Sequence, residues 1–209
     1  MLYLLTFGGT YRGLPEFYGI LMGPRSYGVW AGIKEGRPWA LDNDCFNGGF
    51  DPDAFFRKMD ILQPYSGTCL FATLPDVVGS AEETLRLYSE WIGRYREYPF
   101  PVAFVAQDGQ ELLPLPDDFD VLFVGGSTEW KLGKGAKKCV AMAKESGKGI
   151  HVGRVNSRRR IRHCRSLGVD TVDGTFASFG RNRNLPMLTR WMEEVKAQPV
   201  LPYALMSAR

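Results

Sequence analysis

The segment GVDTVDGT, residues 168–175, ends a short apolar run on Asp173. A lone carboxylate buried among apolar groups is costly unless it is hydrogen-bonded or takes up a proton. Such a residue is either tied down or kept for chemistry. Other short apolar runs end on Asp42, Pro75-Asp76, Gln107-Asp108, Gly125-Gly126 and Arg154. If these runs are neighbouring strands, acids, an amide, a glycine pair and a cation converge on one rim. Two carboxylates on a shared rim can divide nucleophilic attack and proton transfer between them.

The same residues also have plainer uses. An aspartate before Gly-Thr, or the pair Asp42-Asn43, makes an Asx-turn. Pro75-Asp76 can lead into a helix, Phe46 can be core, and Gln107 can satisfy backbone groups. Asp170, early in the last run, is expected to be structural.

The elements that must position these groups can be read from pattern. Expected strands are LYLLTF (2–7), YGVWAGI (27–33), WALD (39–42), CLFATL (69–74), VAFVAQ (102–107), DVLFVGG (120–126), IHVGR (150–154) and DTVD (170–173). Several are continuously apolar, as strands covered on both faces should be. Between them, DPDAFFRKMDIL (51–62) opens with an Asp cap and Pro at the first helical position. SAEETLRLYSEWIGRYRE (80–97) opens with a capping box, Ser80 and Glu83. Further helices are expected over 135–146, 156–168 and 184–198, the second ending on Gly168 as a left-handed cap.

Alternating strands and helices indicate parallel βαβ units. About eight strands in one domain spanning 1–209 predict a small α/β protein, a (β/α)₈ TIM-like barrel. Its first βα unit is irregular, since 8–38 is rich in Gly and Pro. An open doubly wound sheet is the alternative, although no GxGxxG or Walker loop favours it. In such barrels chemistry collects at the C-terminal ends of the strands.

Composition is that of an ordinary globular protein, 44% hydrophobic and 23% charged. No apolar run approaches the ~18–20 residues of a membrane span. The opening MLYLLTFGG lacks a basic leader and reads as a strand, so a cytoplasmic location without membrane contact is expected. Cys45, Cys69, Cys139 and Cys164 form no CxxC pair and are expected to be reduced thiols. With only His151 and His163 beside them, no zinc site is expected. Residues 131–209 hold 17 Lys+Arg against five Asp+Glu, whereas 1–130 hold nine against 18. A basic half of this kind faces a polyanion or forms solvated helix surfaces.

Taken in order, the strand ends resemble the tRNA-guanine transglycosylase superfamily, in particular its phage and bacterial DNA 7-deazaguanine transglycosylases. ALDNDCF (40–46) resembles the family's DSGGF/Y segment, which implies Asp42 as general acid/base and Phe46 as the aromatic that stacks the base. LPDVV (74–78) falls where the family reads the guanine edge with an aspartate, here Asp76. VAFVAQDG (102–109) resembles IVQGG, aligning Gln107 with a base-contacting glutamine. LFVGGSTEWKLG (122–133) resembles IGGLAVGE, whose glycines let the backbone approach the purine, here Gly125 and Gly126. GVDTVDGT resembles GVDMFDCVLPT, aligning Asp173 with the nucleophile. The resemblance covers about residues 38–185. Three features depart from it: Asn43, Asp44 and Cys45 replace the DSGGF glycines, the Cys-rich zinc motif is absent, and the chain is shorter than tRNA-modifying members.

The resemblance implies exchange of guanine in DNA, rather than tRNA, for a 7-deazaguanine (preQ0-type) base without strand cleavage. Asp173 would form a covalent glycosyl-enzyme and Asp42 would manage the proton, as paired carboxylates do in retaining sugar hydrolysis. No cofactor is required. The partners expected are DNA and a free deazapurine. In NSRRRIRHCRSLG (156–168), helical spacing places Ile161, Cys164 and Leu167 inward and Arg158, Arg162 and Arg165 on another side. With Arg154, Arg181 and Arg183 these are the expected contacts to the nucleic-acid backbone. A non-catalytic nucleic-acid-binding paralogue and a small barrel hydrolase of nucleosides or sugars remain alternatives.

Overall fold

The computed structural model describes residues 1–197. Eight strands run in parallel and close into a barrel in chain order. They are β1 (Leu2–Leu5), β2 (Tyr18–Met22), β3 (Trp39–Leu41), β4 (Cys69–Thr73), β5 (Val102–Ala106), β6 (Val121–Val124), β7 (Gly149–Val152) and β8 (Thr171–Gly174). β8 pairs back onto β1, with Leu4 opposite Asp173, which seals the ring. The described residues also contain α1 (Ala31–Lys34), α2 (Pro52–Leu62), α3 (Ala81–Tyr95), α4 (Thr128–Leu132), α5 (Lys134–Glu145), α6 (Arg158–Ser166) and α7 (Arg181–Ala197). The architecture is the (β/α)₈ barrel that the strand–helix alternation predicts. Among the described residues no helix is long and apolar enough to cross a membrane.

One strand differs from the sequence reading. The second is Tyr18–Met22, not 27–33, where Tyr27 is wholly exposed and Ala31–Lys34 is a single helical turn. The run YGILM is buried at all five positions. Its Gly19 is pressed so closely that a Cβ there would lie 2.6 Å from Leu4 Cδ2 and 2.8 Å from the Pro38 carbonyl. The surrounding glycines and prolines belong to the segments that flank this strand.

The larger helices start where their caps indicate. Asp51 accepts the Ala54 N–H at 3.0 Å and Ser80 accepts the Glu83 N–H at 3.3 Å. The reciprocal half of the capping box is not made, since Glu83 pairs with Arg86 and the Ser80 N–H goes to the Val77 carbonyl. Gly168 ends the turn after α6 at φ +64°, a conformation that favours glycine. Helix α7 begins at Arg181, three residues before the expected start, because the Arg183 and Asn184 N–H groups both reach the Gly180 carbonyl. Position 198 of the expected 184–198 helix lies outside the described residues.

The pleat sorts side chains into two cores. Leu4, Leu21, Ala40, Phe71, Ala103, Val105 and Phe123 fill the barrel interior. The alternate strand residues pack outward against the helices, for example Phe104 and Leu122 with Tyr88, Cys139 and Ile161. All four cysteines are free thiols, with Cys139 and Cys164 buried. Asp170 is structural as expected: it accepts the Ile150 N–H at 2.8 Å.

Candidate active site

Above the interior plug, the C-terminal strand ends surround a cavity of roughly 550 Å³. Asp42, Phe46, Asp76, Gln107, Gly125, Arg154 and Asp173 all line it. Residues separated by up to 131 positions in the chain therefore share one cleft. Its volume falls within the range that accepts a drug-sized ligand.

Asp42 follows β3 and stays in the sheet, its N–H bonded to the Met22 carbonyl at 2.9 Å. Its carboxylate looks into the cavity and is otherwise enclosed by protein. Burial pushes its pKa up to about 7, with further upward pressure from the charges of Asp173, Asp44 and Asp76. The N–H of Asn43, 3.0 Å from Oδ1, acts in the opposite direction. Asp42 can therefore gain or lose a proton near neutrality.

Asp173 is a buried residue of β8 in a different setting. Its Oδ2 lies 2.9 Å from Nε2 of His151, and its Oδ1 accepts the Arg154 N–H at 3.3 Å. The β7 backbone gives way beside it at Gly153, where a Cβ would lie 2.8 Å from the Phe123 ring and 3.3 Å from Asp173 Oδ2.

Asp76 is held by two side-chain amides. Asn43 Nδ2 donates to its Oδ1 and Gln107 Nε2 to its Oδ2, each at 2.6 Å. Gln107 Oε1 in turn accepts the Gly79 N–H at 3.0 Å, which fixes which end of the amide faces Asp76. Burial pushes the Asp76 pKa up, while the Asn43 and Gln107 donors hold it back. Asn43 also donates to the Leu74 carbonyl at 2.6 Å, so it braces the turn beside Asp42.

Gly125 sits where a Cβ would lie 2.7 Å from Val105 and 2.8 Å from Gln107 Nε2. At Gly126 a Cβ would run into the Trp130 ring. Both glycines leave the space that these neighbouring protein atoms occupy, and of the two Gly125 lines the cavity.

Arg154 is more enclosed than a backbone-contacting arginine needs to be. Its guanidinium donates to the carbonyls of Gly125 and Gly126 and stacks 4.6 Å from the centre of the Phe46 ring. Its backbone is left-handed, at φ +59°, which is costly for a side chain other than glycine. Phe46 itself is 61% exposed at the mouth.

The remaining arginines do not form one surface. Arg158 and Arg162 both face Glu194, at 2.6 and 3.8 Å. Arg165 lies at the opposite end of the barrel, beside Met1, Leu2 and Glu16, and lowers the pKa of the Met1 amine together with burial. Ile161 and Cys164 are buried as the helical spacing predicts. Arg181 and Arg183 stand exposed at the start of α7, with Arg181 4.3 Å above the Phe7 ring. Arg25, which also lines the cavity, is paired with Asp44 at 3.0 Å.

Three polar residues at the site were not singled out from sequence. His151 is fully buried inside the barrel. Its signal was parity, since it stands two residues before Gly153, as Thr171 does before Asp173. Asn43 was read only as part of a turn. Lys131 is buried in α4 and donates to the Gly153 carbonyl at 2.7 Å; burial and the neighbouring Arg154 push its pKa down to about 8. Among the described residues no three His, Cys, Asp or Glu side chains are grouped to hold a metal ion. No family model matches the chain, and no curated protein matches it, so what the site can do must be argued from its own geometry.

Proposed function

We propose that the protein is a base-exchanging transglycosylase that replaces guanine in DNA with a 7-deazaguanine, through a covalent glycosyl-aspartate. The observation that carries this reading is the pair of carboxylates on one cavity, Asp42 with its pKa pushed up to about 7 and Asp173 held between His151 Nε2 and the Arg154 N–H. Breaking an N-glycosidic bond needs those two roles at once: an anion at C1′ and a proton for the departing base.

In the first half-reaction an oxygen of Asp173 attacks C1′ and the C1′–N9 bond breaks. Its electron pair leaves with guanine, which takes the proton of Asp42. In the second half, Asp42 removes the N9 proton of the incoming deazapurine, N9 attacks C1′, and the ester bond to Asp173 breaks to restore the carboxylate. Protons and charge balance over the cycle, and the kinetics are ping-pong.

The other groups have matching tasks. Asp76, oriented by Asn43 and Gln107, presents acceptors to the amide edge of guanine. Gly125 admits the purine plane, and Phe46 with Arg154 caps it. The target base must leave the stack to reach a site of this depth. Arg181 and Arg183, exposed at the start of α7, are suited to the flanking phosphates, and such contacts make affinity fall with salt.

The test is an exchange assay: DNA carrying labelled guanine is incubated with the protein and a preQ0-type base, then digested and weighed nucleoside by nucleoside. Label release matched by incorporated deazaguanosine is expected for wild type and not for Asp173→Ala. Exchange that survives in Asp173→Ala, or turnover of free nucleosides but not DNA, contradicts the proposal.

A further inference from the structure

We propose that His151 is a positioning residue for the nucleophile: locked in one tautomer by Thr171, it holds one oxygen of Asp173 and leaves the other to attack. This deepens the base-exchange reading and rests on it.

His151 lies in β7 with no exposure, its ring 4.4 Å from that of Phe123 and 4.9 Å from that of Phe71. An imidazole in such an apolar plug needs both nitrogens satisfied. Both are, by consecutive inward residues of the neighbouring strand. Nδ1 is 2.8 Å from Thr171 Oγ1, and Nε2 is 2.9 Å from Asp173 Oδ2. The register that pairs His151 with Thr171 across β7 and β8 produces this arrangement directly.

A neutral ring facing a carboxylate must carry its proton on Nε2, because a bare Nε2 would set a lone pair against Oδ2. Nδ1 then has to accept, and the Thr171 hydroxyl is the donor within reach. The chain of bonds is therefore Thr171 O–H to Nδ1, then Nε2–H to Oδ2. Asp173 Oδ2 is committed to this bond. Among the described residues Oδ1 meets only the longer contact from the Arg154 N–H, at 3.3 Å, so it is the attacking oxygen.

The bond from Nε2 is stronger to a carboxylate than to the ester formed in the intermediate. It therefore favours the step in which Asp173 leaves C1′, as well as orienting the attack. Removing it is expected to slow breakdown of the covalent adduct more than binding of DNA.

The experiment is rapid-quench analysis with a guanine-containing duplex oligonucleotide and a preQ0-type base, following adduct formation and decay by denaturing gel. His151→Phe is expected to slow adduct breakdown by about 10- to 100-fold, with KM for DNA within about twofold of wild type. His151→Gln, which keeps an N–H donor of similar reach, should recover part of the rate. Thr171→Val should lower it by a smaller factor, about three- to tenfold. A merely structural histidine would lower the melting temperature in these variants without changing the partition of the adduct. Folded His151→Phe with wild-type adduct kinetics overturns the inference alone. If that variant does not fold, wild-type kinetics in both His151→Gln and Thr171→Val overturns it equally. A wild-type protein that forms no adduct at all overturns the base-exchange reading first, and this inference with it.

Discussion

On the β3–β4 side of the mouth, Asp42 sits beside Asp44 and Asp76, and the burial and like charge around it push its pKa to about 7. On the β7–β8 side, Asp173 is buried and its carboxylate lies against His151 Nε2 and the Arg154 N–H. The residue type is the same, and both face the same cavity. What separates them is the partner set: acids gather around Asp42, whereas Asp173 lies against an imidazole and a backbone N–H. Neighbouring strands create this difference. β3 ends in a turn braced by Asn43, which gathers acids, whereas β7 contributes an inward histidine across from β8.

Five substitutions break or sharpen this contrast, the largest effects first. Asp173→Ala removes the attacking group and is expected to cut base exchange by about 10⁴-fold or more, measured by label release. Asp42→Asn leaves the nucleophile but not the proton carrier, and should cost about 10²- to 10⁴-fold in kcat/KM. In wild type, kcat/KM should fall about tenfold per pH unit above pH 7, as Asp42 loses its proton, and that limb should be absent from the asparagine variant.

Asp42 also makes a stability difference whose sign is fixed. Its pKa in the folded protein, about 7, exceeds the ordinary value of 3.8. The folded state therefore binds the proton more tightly, and the stability this lends is complete below pH 4 and lost as pH rises through 7. Asp42→Asn should accordingly stabilise the fold by about 1–3 kcal/mol more at pH 8 than at pH 4, read from urea midpoints.

Gly125→Ala tests the part of the cavity wall that follows β6. Its Cβ would press on Val105 and Gln107, so a loss of about 1–3 kcal/mol is expected, together with a raised KM for the incoming base. The smallest effect belongs to Arg158→Ala. That side chain is half exposed and paired with Glu194, and its loss should change stability by less than about 1 kcal/mol and leave the salt dependence of DNA binding unaltered. Arg181→Ala, at the exposed start of α7, should flatten that salt dependence by about one unit of slope.

The parts of the molecule governed by local rules were readable in the sequence. Asp51 and Ser80 announced their helices, and the apolar runs ending at Asp42, Gln107 and Asp173 named the strands that carry the site. What failed to show is set by distance in the chain. Tyr18–Met22 was hidden because the glycines and prolines of its loops lie on both sides of a five-residue strand. His151 was visible only as one of two histidines, since nothing local says that position 151 faces inward opposite Thr171. The basic face of α6 looked continuous on a helical wheel, yet Glu194 from α7 occupies part of it, and Arg165 points to the other end of the barrel.

The most direct measurement is the mass of the protein after reaction with guanine-containing DNA, quenched before a second base is added, followed by peptide mapping. One DNA strand lacking guanine at a single position should be found attached through an ester to the peptide containing Asp173, and the adduct should disappear when a deazapurine is supplied. A linkage on any other residue, or free guanine released with no covalent species at any time point, would contradict the division of roles between Asp173 and Asp42.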